Sequence, residues 1–119
     1  MAESIAVMIT RAPYGLEEGF AGARLALACM VSGIVPKVSI ILVGDGTLNA
    51  LTAQKPEAVA MPSNLEALQD VLDMDSPVYC AEEDLRSRVG DMEVMQGIKL
   101  ISWEEARGIL RDHELITTF

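Results

Sequence analysis

VSIILVGDG, residues 38–46, is the stretch of sequence that decides the fold. Its first six residues are almost all apolar, which is typical of a strand that is buried on both faces. The Gly-Asp-Gly that follows is typical of a tight turn. Strands buried on both faces belong to parallel sheets that carry helices on either side. This stretch therefore predicts an α/β fold.

Four more short apolar runs flank this strand, and helical patterns alternate with them. The runs are Ile5–Ile9, Pro77–Cys80, Ile98–Ile101 and Leu115–Phe119. Helices are predicted over residues 17–32, 47–53 and 82–88, with two more beginning after Ser63 and Ser102. The alternation predicts a Rossmann-like three-layer α/β/α fold with a mostly parallel five-stranded sheet. Because 119 residues supply one hydrophobic core, we expect a single domain over residues 1–119.

Composition excludes several classes of function. The chain has 18 acidic and 9 basic residues, so its net charge of −9 disfavours nucleic acids and anionic membrane surfaces as partners. Aromatic residues make up 4% of the chain, too few for a base-stacking surface. One histidine and two cysteines are too few ligands for an ordinary zinc site. We therefore expect no metal and no cofactor.

The N-terminal sequence MAESIAVMIT lacks the basic and apolar regions of a secretory signal peptide. The most apolar segment, Leu25–Val43, is interrupted by Ser32, Gly33, Pro36 and Lys37, which disfavours a membrane span. Two cysteines in a chain without a signal peptide are expected to be reduced thiols. The sequence therefore predicts a cytoplasmic protein.

The predicted first helix is unusually poor in charge. From Leu25 through Pro36 there is no charged side chain, whereas a helix on a protein surface normally has a polar stripe. We therefore expect this helix to be covered on two sides, by its own sheet and by another subunit.

Three of the predicted strand-to-helix loops contain polar or reactive residues: Tyr14, Asp45 and Cys80. The right-handed crossover rule places these loops at one edge of the sheet, where ligands of α/β proteins bind. We expect Tyr14 and the Gly44-Asp45-Gly46 turn to line a cleft there. No dinucleotide or P-loop motif is present. A small-ligand-binding module that uses the turn therefore remains only a weaker hypothesis.

Cys80 is the candidate nucleophile. It ends a predicted strand and precedes a helix, so amide N–H groups and the helix dipole favour its thiolate. Arg86 and Arg88 could add to this effect, while the acidic run Glu82–Asp84 would raise the pKa of the thiol. From the residues alone, a reactive thiol and an inert cysteine in a buried strand remain equally open.

The single histidine does not extend this site. His113 lies near the end of the last predicted helix, where it can bond terminal carbonyl groups. It is expected at the opposite edge of the sheet from Cys80, so a Cys–His pair is excluded. Cys29, in the charge-free helix, is expected to be a small buried hydrophobic residue.

The order and spacing of these segments resemble the DsrE/DsrF-like family, which includes the TusC and TusD subunits of bacterial sulfur relays. The resemblance covers nearly the whole chain and rests on IAVMITRAPYGLEEGFAGARLALA, VSIILVGDGTLNAL, PVYCAEEDLRSRVG, GIKLISWEEARGIL and ELITTF. It implies that Cys80, which matches the cysteine at the end of the family's third strand, carries sulfur as a persulfide. Sulfur donor and acceptor proteins would then be its partners.

The resemblance also implies an alternative. The Pro13-Tyr14-Gly15 opening is similar to the TusC/DsrF branch, in which a companion subunit is credited with carrying the sulfur. The chain would then be a non-catalytic scaffold subunit of an oligomer. The family assembles as trimers or hexamers, so we expect a homotrimer or hexamer, or an assembly with sibling subunits.

Overall fold

The computed structural model describes residues 2–14 and 17–119. The strands are β1 (Ser4–Ile9), β2 (Lys37–Leu42), β3 (Val78–Ala81), β4 (Lys99–Ile101) and β5 (Leu115–Thr118). The helices are α1 (Glu18–Ser32), α2 (Asn64–Asp73), α3 (Glu82–Val89) and α4 (Trp103–Arg111), with short 3₁₀ helices at Gly44–Ala50 and Pro56–Val59. The sheet has the order β4-β3-β2-β1-β5, and every neighbouring pair is parallel. The α/β fold predicted from the sequence is confirmed.

The strand order explains which helix covers which face. From β1 to β4 the chain moves across the sheet in one direction, so right-handed crossovers place α1, α2 and α3 on the same face. The return from β4 to β5 runs the opposite way and places α4 on the other face. The buried side chains follow this division, because α4 packs on a separate apolar cluster. The result is the predicted arrangement of three layers.

Alternation along the strands builds the core. Val38, Ile40 and Leu42 of β2 point toward α1 and α2, while Ile41 points toward α4. All four side chains are completely buried. The central strand is therefore buried on both faces, as its continuous apolar sequence predicts.

Helix boundaries agree with the capping signals in the sequence. Gly33 ends α1 in the left-handed conformation, with φ of 70°. Ser63 caps α2 by accepting a hydrogen bond from the backbone N–H of Glu66. Ser102 and Glu105 form a reciprocal capping box at the start of α4.

Two differences from the predicted element boundaries concern the carboxyl edge of the sheet. The helix predicted over residues 47–53 is a 3₁₀ helix that begins directly at Gly44, since the turn and the helix are one continuous segment. Strand β3 continues one residue beyond Cys80, because Ala81 still pairs with Ile101 of β4. Cys80 is thus the penultimate residue of its strand.

Helix α1 places its small residues inward. Gly19, Gly22, Ala23 and Ala26 are buried, and α1 packs against both the sheet and α2. Val31, on the outer face, is 68% exposed. Within the described part of the chain, no helix combines the length and the apolarity needed to cross a membrane.

Candidate functional site at the carboxyl edge of the sheet

The chain diverges to the two faces of the sheet between β3 and β4. Strand β3 leads into α3 on one face, and its neighbour β4 leads into α4 on the other. Such a switch of direction opens a crevice at the carboxyl ends of parallel strands, and ligands of α/β proteins bind in that crevice. Cys80, Gly44 and Asp45, which the sequence predicts as site residues, lie at this edge.

In this chain the side chain of Asp84 occupies the crevice. Its Oδ2 atom accepts a hydrogen bond of 2.7 Å from the backbone N–H of Gly44, and its Oδ1 atom accepts one of 2.9 Å from the indole N–H of Trp103. One carboxylate therefore joins α3 to the turn after β2 and to the first residue of α4. We call this set of contacts the Asp84 clasp. Hydrogen bonds to a charged acceptor are stronger than those between neutral groups.

A second contact joins the same elements at the surface. Arg88 Nε of α3 donates to Asp45 Oδ1 at 2.8 Å. Asp45 is exposed, so solvent screens this ion pair and its contribution to stability is small. The predicted cleft residue Asp45 is thus paired with a cation of α3.

The Cys80 side chain lies inside the molecule. Cys80 pairs in register with Leu42 of β2 and Leu100 of β4, and it points into the apolar cluster between the sheet and α1, α2 and α3. Leu85 of α3 belongs to the same cluster, and both side chains are 0% exposed. The sulfur is therefore shielded from solvent in the folded chain.

This environment favours the neutral thiol. The pKa of Cys80 is raised to about 12, mainly because burial disfavours the thiolate; the negative charges of Asp84 and Glu82 also raise it, and Arg86 lowers it. The direction is opposite to the lowering that we expected from a helix N-terminus. The physical reason is the position of Cys80: it precedes the N-cap residue Ala81 and points into the core, so desolvation dominates.

Tyr14 belongs to a separate polar network. Its hydroxyl donates to Gln54 Oε1 at 2.6 Å and accepts from the backbone N–H of Asn64 at 3.3 Å. The Asn64 side chain donates to Asn49 Oδ1 at 2.6 Å, and Asn49 in turn donates to the carbonyl of Gly46 at 2.9 Å. Both asparagine side chains are buried and hydrogen-bonded, which is typical of a network that stabilises loops.

The predicted site residues are therefore only partly brought together. Gly44 and Asp45 contact α3, the helix that follows Cys80, whereas Tyr14 bonds to Gln54, between the two 3₁₀ helices, and to the start of α2. Gly46 is required by close backbone packing, since a Cβ atom there would lie 1.9 Å from the carbonyl oxygen of Ile9. No cavity opens between these residues in the described ranges, 2–14 and 17–119.

Sequence reasoning missed Asp84, Trp103 and the buried pair Asn49 and Asn64. Acidic residues at the start of a helix are equally well explained by the helix dipole, and a tryptophan in the first turn of α4 by an apolar contact. The signal that could have suggested the Asp84 clasp is the indole N–H, because a tryptophan near the core usually finds a hydrogen-bond acceptor. Nothing in the sequence distinguishes the two asparagines from surface residues.

His113 lies where the sequence predicts it. Its Nδ1 atom donates to the carbonyl of Ile109 at 2.6 Å, near the end of α4. In the neutral ring, Nε2 then accepts from the hydroxyl of Ser39 at 3.0 Å. Ser39 lies near the start of β2, so His113 is far along the strands from the carboxyl edge. No group of side chains suited to a metal ion occurs among the described residues.

The amino-acid sequence is similar to a known protein family and to two archaeal proteins. The profile of the DsrE/DsrF-like family matches residues 3–107. An uncharacterized protein of Methanocaldococcus jannaschii is 28% identical over 114 residues, covering 95% of this chain and 96% of the relative. An uncharacterized protein of Methanopyrus kandleri is 26% identical over 116 residues, covering 97% of this chain and 93% of the relative.

Two solved structures share the fold. The YchN protein of E. coli superposes with a TM-score of 0.88 at 21% identity, over 98% of this chain and 99% of that one. A conserved protein of unknown function from Bacteroides thetaiotaomicron has a TM-score of 0.69 at 16% identity, over 98% of this chain and 95% of that one. At these identities the likeness shows a common fold.

Proposed function

The chain belongs to the DsrE/DsrF-like family, and we propose that it serves in a sulfur relay as a non-catalytic subunit that supplies an assembly surface. The observation that carries this proposal is the closed position of Cys80. A sulfur that is 0% exposed, with a pKa raised to about 12, is a poor nucleophile at neutral pH. The folded chain thus offers a partner its surface rather than a reactive thiol.

The outer face of α1 supports the assembly role. Val31 on α1 is 68% exposed, Ile34 just after the helix is 55% exposed, and the segment from Leu25 through Pro36 contains no charge. Burying one exposed side chain of this size contributes about 1.5–3 kcal/mol. We propose that this face contacts further copies of the chain in a homotrimer or hexamer.

The experiment that tests the assembly role compares the wild-type protein with Cys80→Ser. Both proteins are expected to sediment as the same oligomer, and the substitution is expected to leave their relay function intact. A wild-type protein that sediments as a monomer contradicts the proposal. A normal oligomer of Cys80→Ser that has lost its relay function shows instead that the thiol is needed.

The second candidate is sulfur carriage by Cys80 itself. Its support is the position of Cys80 one residue from the carboxyl end of β3, beside the element that contacts the Gly44-Asp45-Gly46 turn. In this reaction the Cys80 thiolate, having lost its proton to solvent, attacks the outer sulfur of a donor persulfide. A new S–S bond forms on Cys80, the donor S–S bond breaks, and the donor leaves as a thiolate. Attack by an acceptor thiolate on the outer sulfur then returns Cys80 to its starting form.

Carriage predicts a measurable product. After incubation with a persulfide donor, mass spectrometry is expected to find one added sulfur on the peptide that contains Cys80, and none in Cys80→Ser. The assembly role predicts that the donor adds the same mass to wild type and to Cys80→Ser.

A further inference from the structure

Helix α3 is attached to the rest of the molecule by few side chains. Of its eight residues, only Leu85 is completely buried. Glu82, Glu83, Ser87 and Arg88 are exposed. Short segments with few buried apolar contacts open locally more readily than the whole domain unfolds.

The polar contacts of α3 are concentrated on Asp84. The Asp84 clasp binds the backbone N–H of Gly44 and the indole N–H of Trp103, so it reaches elements on both faces of the sheet. The Arg88–Asp45 ion pair reinforces the first of these two connections, although it is exposed. The residues of the crevice thus hold α3 in place instead of leaving an open site.

Helix α3 also shields the thiol. It begins two residues after Cys80, and its buried side chain Leu85 lies in the same apolar cluster as the sulfur. The opposite side of that cluster is formed by the sheet and by α1 and α2, which have many more buried side chains. Of the three helices on this face, α3 contributes the fewest buried side chains to the cluster, so we expect Cys80 to become exposed by movement of α3.

We propose that α3 is a lid over Cys80, that the Asp84 clasp keeps this lid closed, and that α3 opens while the sheet stays folded. This inference goes beyond the assembly function, because it concerns solvent access to the thiol and does not require that the chain carry sulfur. It states how a thiol that is closed in the resting molecule becomes reachable. Release of Gly44 and Trp103 from Asp84 is the event that opens the lid.

The test measures alkylation of Cys80 by iodoacetamide in full-length protein that carries Cys29→Ser, followed by intact mass. When opening is fast and rare, the rate of alkylation reports the population of the open form. Each protein is measured across a series of urea concentrations below its unfolding transition. Opening of α3 exposes little surface, so the rate is expected to rise weakly with urea, whereas global unfolding makes it rise with the full equilibrium slope.

Two substitutions remove the clasp in different ways. Asp84→Asn removes the charge and one acceptor, and is expected to raise the alkylation rate at least about tenfold, as the strength of a hydrogen bond to a charged group implies. Trp103→Phe removes only the indole donor and leaves the charge beside Cys80 unchanged, and is expected to raise the rate several-fold. The matched control Glu83→Gln removes an exposed neighbouring charge and is expected to change the rate less than about twofold.

The outcomes separate lid opening from its alternatives. Weak urea dependence together with faster alkylation in Asp84→Asn and Trp103→Phe supports the lid. A rate that follows global unfolding in every variant overturns it, and so does a rate that both substitutions leave unchanged. Iodoacetamide is neither a sulfur donor nor a protein partner, so a negative result for the lid does not affect the assembly proposal. If the protein is a monomer, the assembly proposal fails, but the alkylation experiment still tests the lid.

Discussion

At the scale of single residues, Gly46 lies where two backbone segments at the carboxyl edge pack closely together. A Cβ atom at this position would lie 1.9 Å from the carbonyl oxygen of Ile9, and backbone cannot move aside as a flexible side chain can. We predict that Gly46→Ala lowers the free energy of unfolding by at least about 3 kcal/mol, measured by urea denaturation.

Gly108 provides the matched control for this substitution. It lies inside α4, and a Cβ atom there would meet nothing within 4 Å. Because alanine favours a helix interior over glycine, Gly108→Ala is expected to stabilise the protein by about 0.5–1 kcal/mol. Equal effects of the two substitutions would contradict the packing described at Gly46.

The raised pKa of Cys80 makes the free energy of unfolding depend on pH. Its pKa is raised from 9.0 to about 12 in the folded chain, so the folded state retains a proton that the unfolded state releases. The contribution is fully present below pH 9 and is lost as the pH rises from about 9 toward 12, by at most about 1.4 kcal/mol per pH unit. In urea denaturation, the free energy of unfolding of wild type is expected to fall relative to that of Cys80→Ala as the pH rises through this window. A difference that stays constant through the window would show that the thiol is not desolvated.

The sequence could predict where Cys80 lies in the fold but not how its side chain is oriented. The apolar run that ends at Cys80 predicts a strand, and the structure confirms β3. Orientation depends on the register in which β3 pairs with its neighbours, since a shift of one residue in that register reverses the face on which a side chain lies. Pairing of Ala81 with Ile101 decides this, and such long-range pairing is not visible in the local sequence.

At the scale of elements, α4 begins with a complete capping box. Ser102 accepts from the backbone N–H of Glu105 at 3.1 Å, and Glu105 accepts from the backbone N–H of Ser102 at 3.2 Å. Ser102→Ala is expected to lower the free energy of unfolding by about 1 kcal/mol. Urea denaturation checks this value.

The exposed hydroxyl of Ser87 serves as the control for this change. Ser87 lies inside α3, where alanine is a better helix former than serine, so Ser87→Ala is expected to leave stability unchanged or slightly raised. Equal losses in Ser87→Ala and Ser102→Ala would argue against a specific role of the cap.

Element boundaries were predictable wherever a local signal determines them. Gly33, Ser63 and Ser102 mark helix ends by their own backbone or side-chain chemistry, and the structure confirms all three. The Asp84 clasp was not predictable, because Gly44 and Trp103 reach Asp84 only after the sheet has brought three separate loops together. The acidic residue is equally well explained, from sequence alone, by the dipole of α3.

At the scale of the whole molecule, the outer face of α1 predicts how copies of the chain associate. Val31 is 68% exposed, so Val31→Asp is expected to disrupt the oligomer while leaving the fold intact. Sedimentation velocity and the far-ultraviolet circular dichroism spectrum measure the two properties. The cause is the cost of desolvating a carboxylate in an apolar interface.

Val59→Asp is the matched control, because Val59 is 55% exposed on the 3₁₀ helix Pro56–Val59, outside the charge-free segment whose exposed face we propose as the interface. It makes the same chemical change and is expected to leave the oligomer unaltered. Leu27 is not suitable for this test, since its partly buried side chain packs against the core and a charge there would lower the stability of the fold itself. Disruption by both valine substitutions would point to a nonspecific effect of charge.

The overall architecture was the most predictable feature of the molecule. Alternating strands and helices predict a parallel sheet with helices on both faces, and right-handed crossovers determine which helix lies on which face once the strand order is known. The strand order itself was not predictable, because β5 pairs with β1 across nearly the whole length of the chain. The distribution of exposed apolar residues, such as Val31 and Ile116, likewise appears only in the folded chain.

Native mass spectrometry after incubation with a persulfide donor tests most directly whether the folded chain contributes a surface instead of a reactive thiol. The incubation time is chosen so that, in a parallel sample of the same protein, iodoacetamide does not yet modify Cys80; the folded chain with a closed thiol is then the species tested. The assembly role predicts a multiple of the 12.8 kDa chain with no more added sulfur than Cys80→Ser acquires. A monomer, or an added sulfur that depends on Cys80, would contradict it.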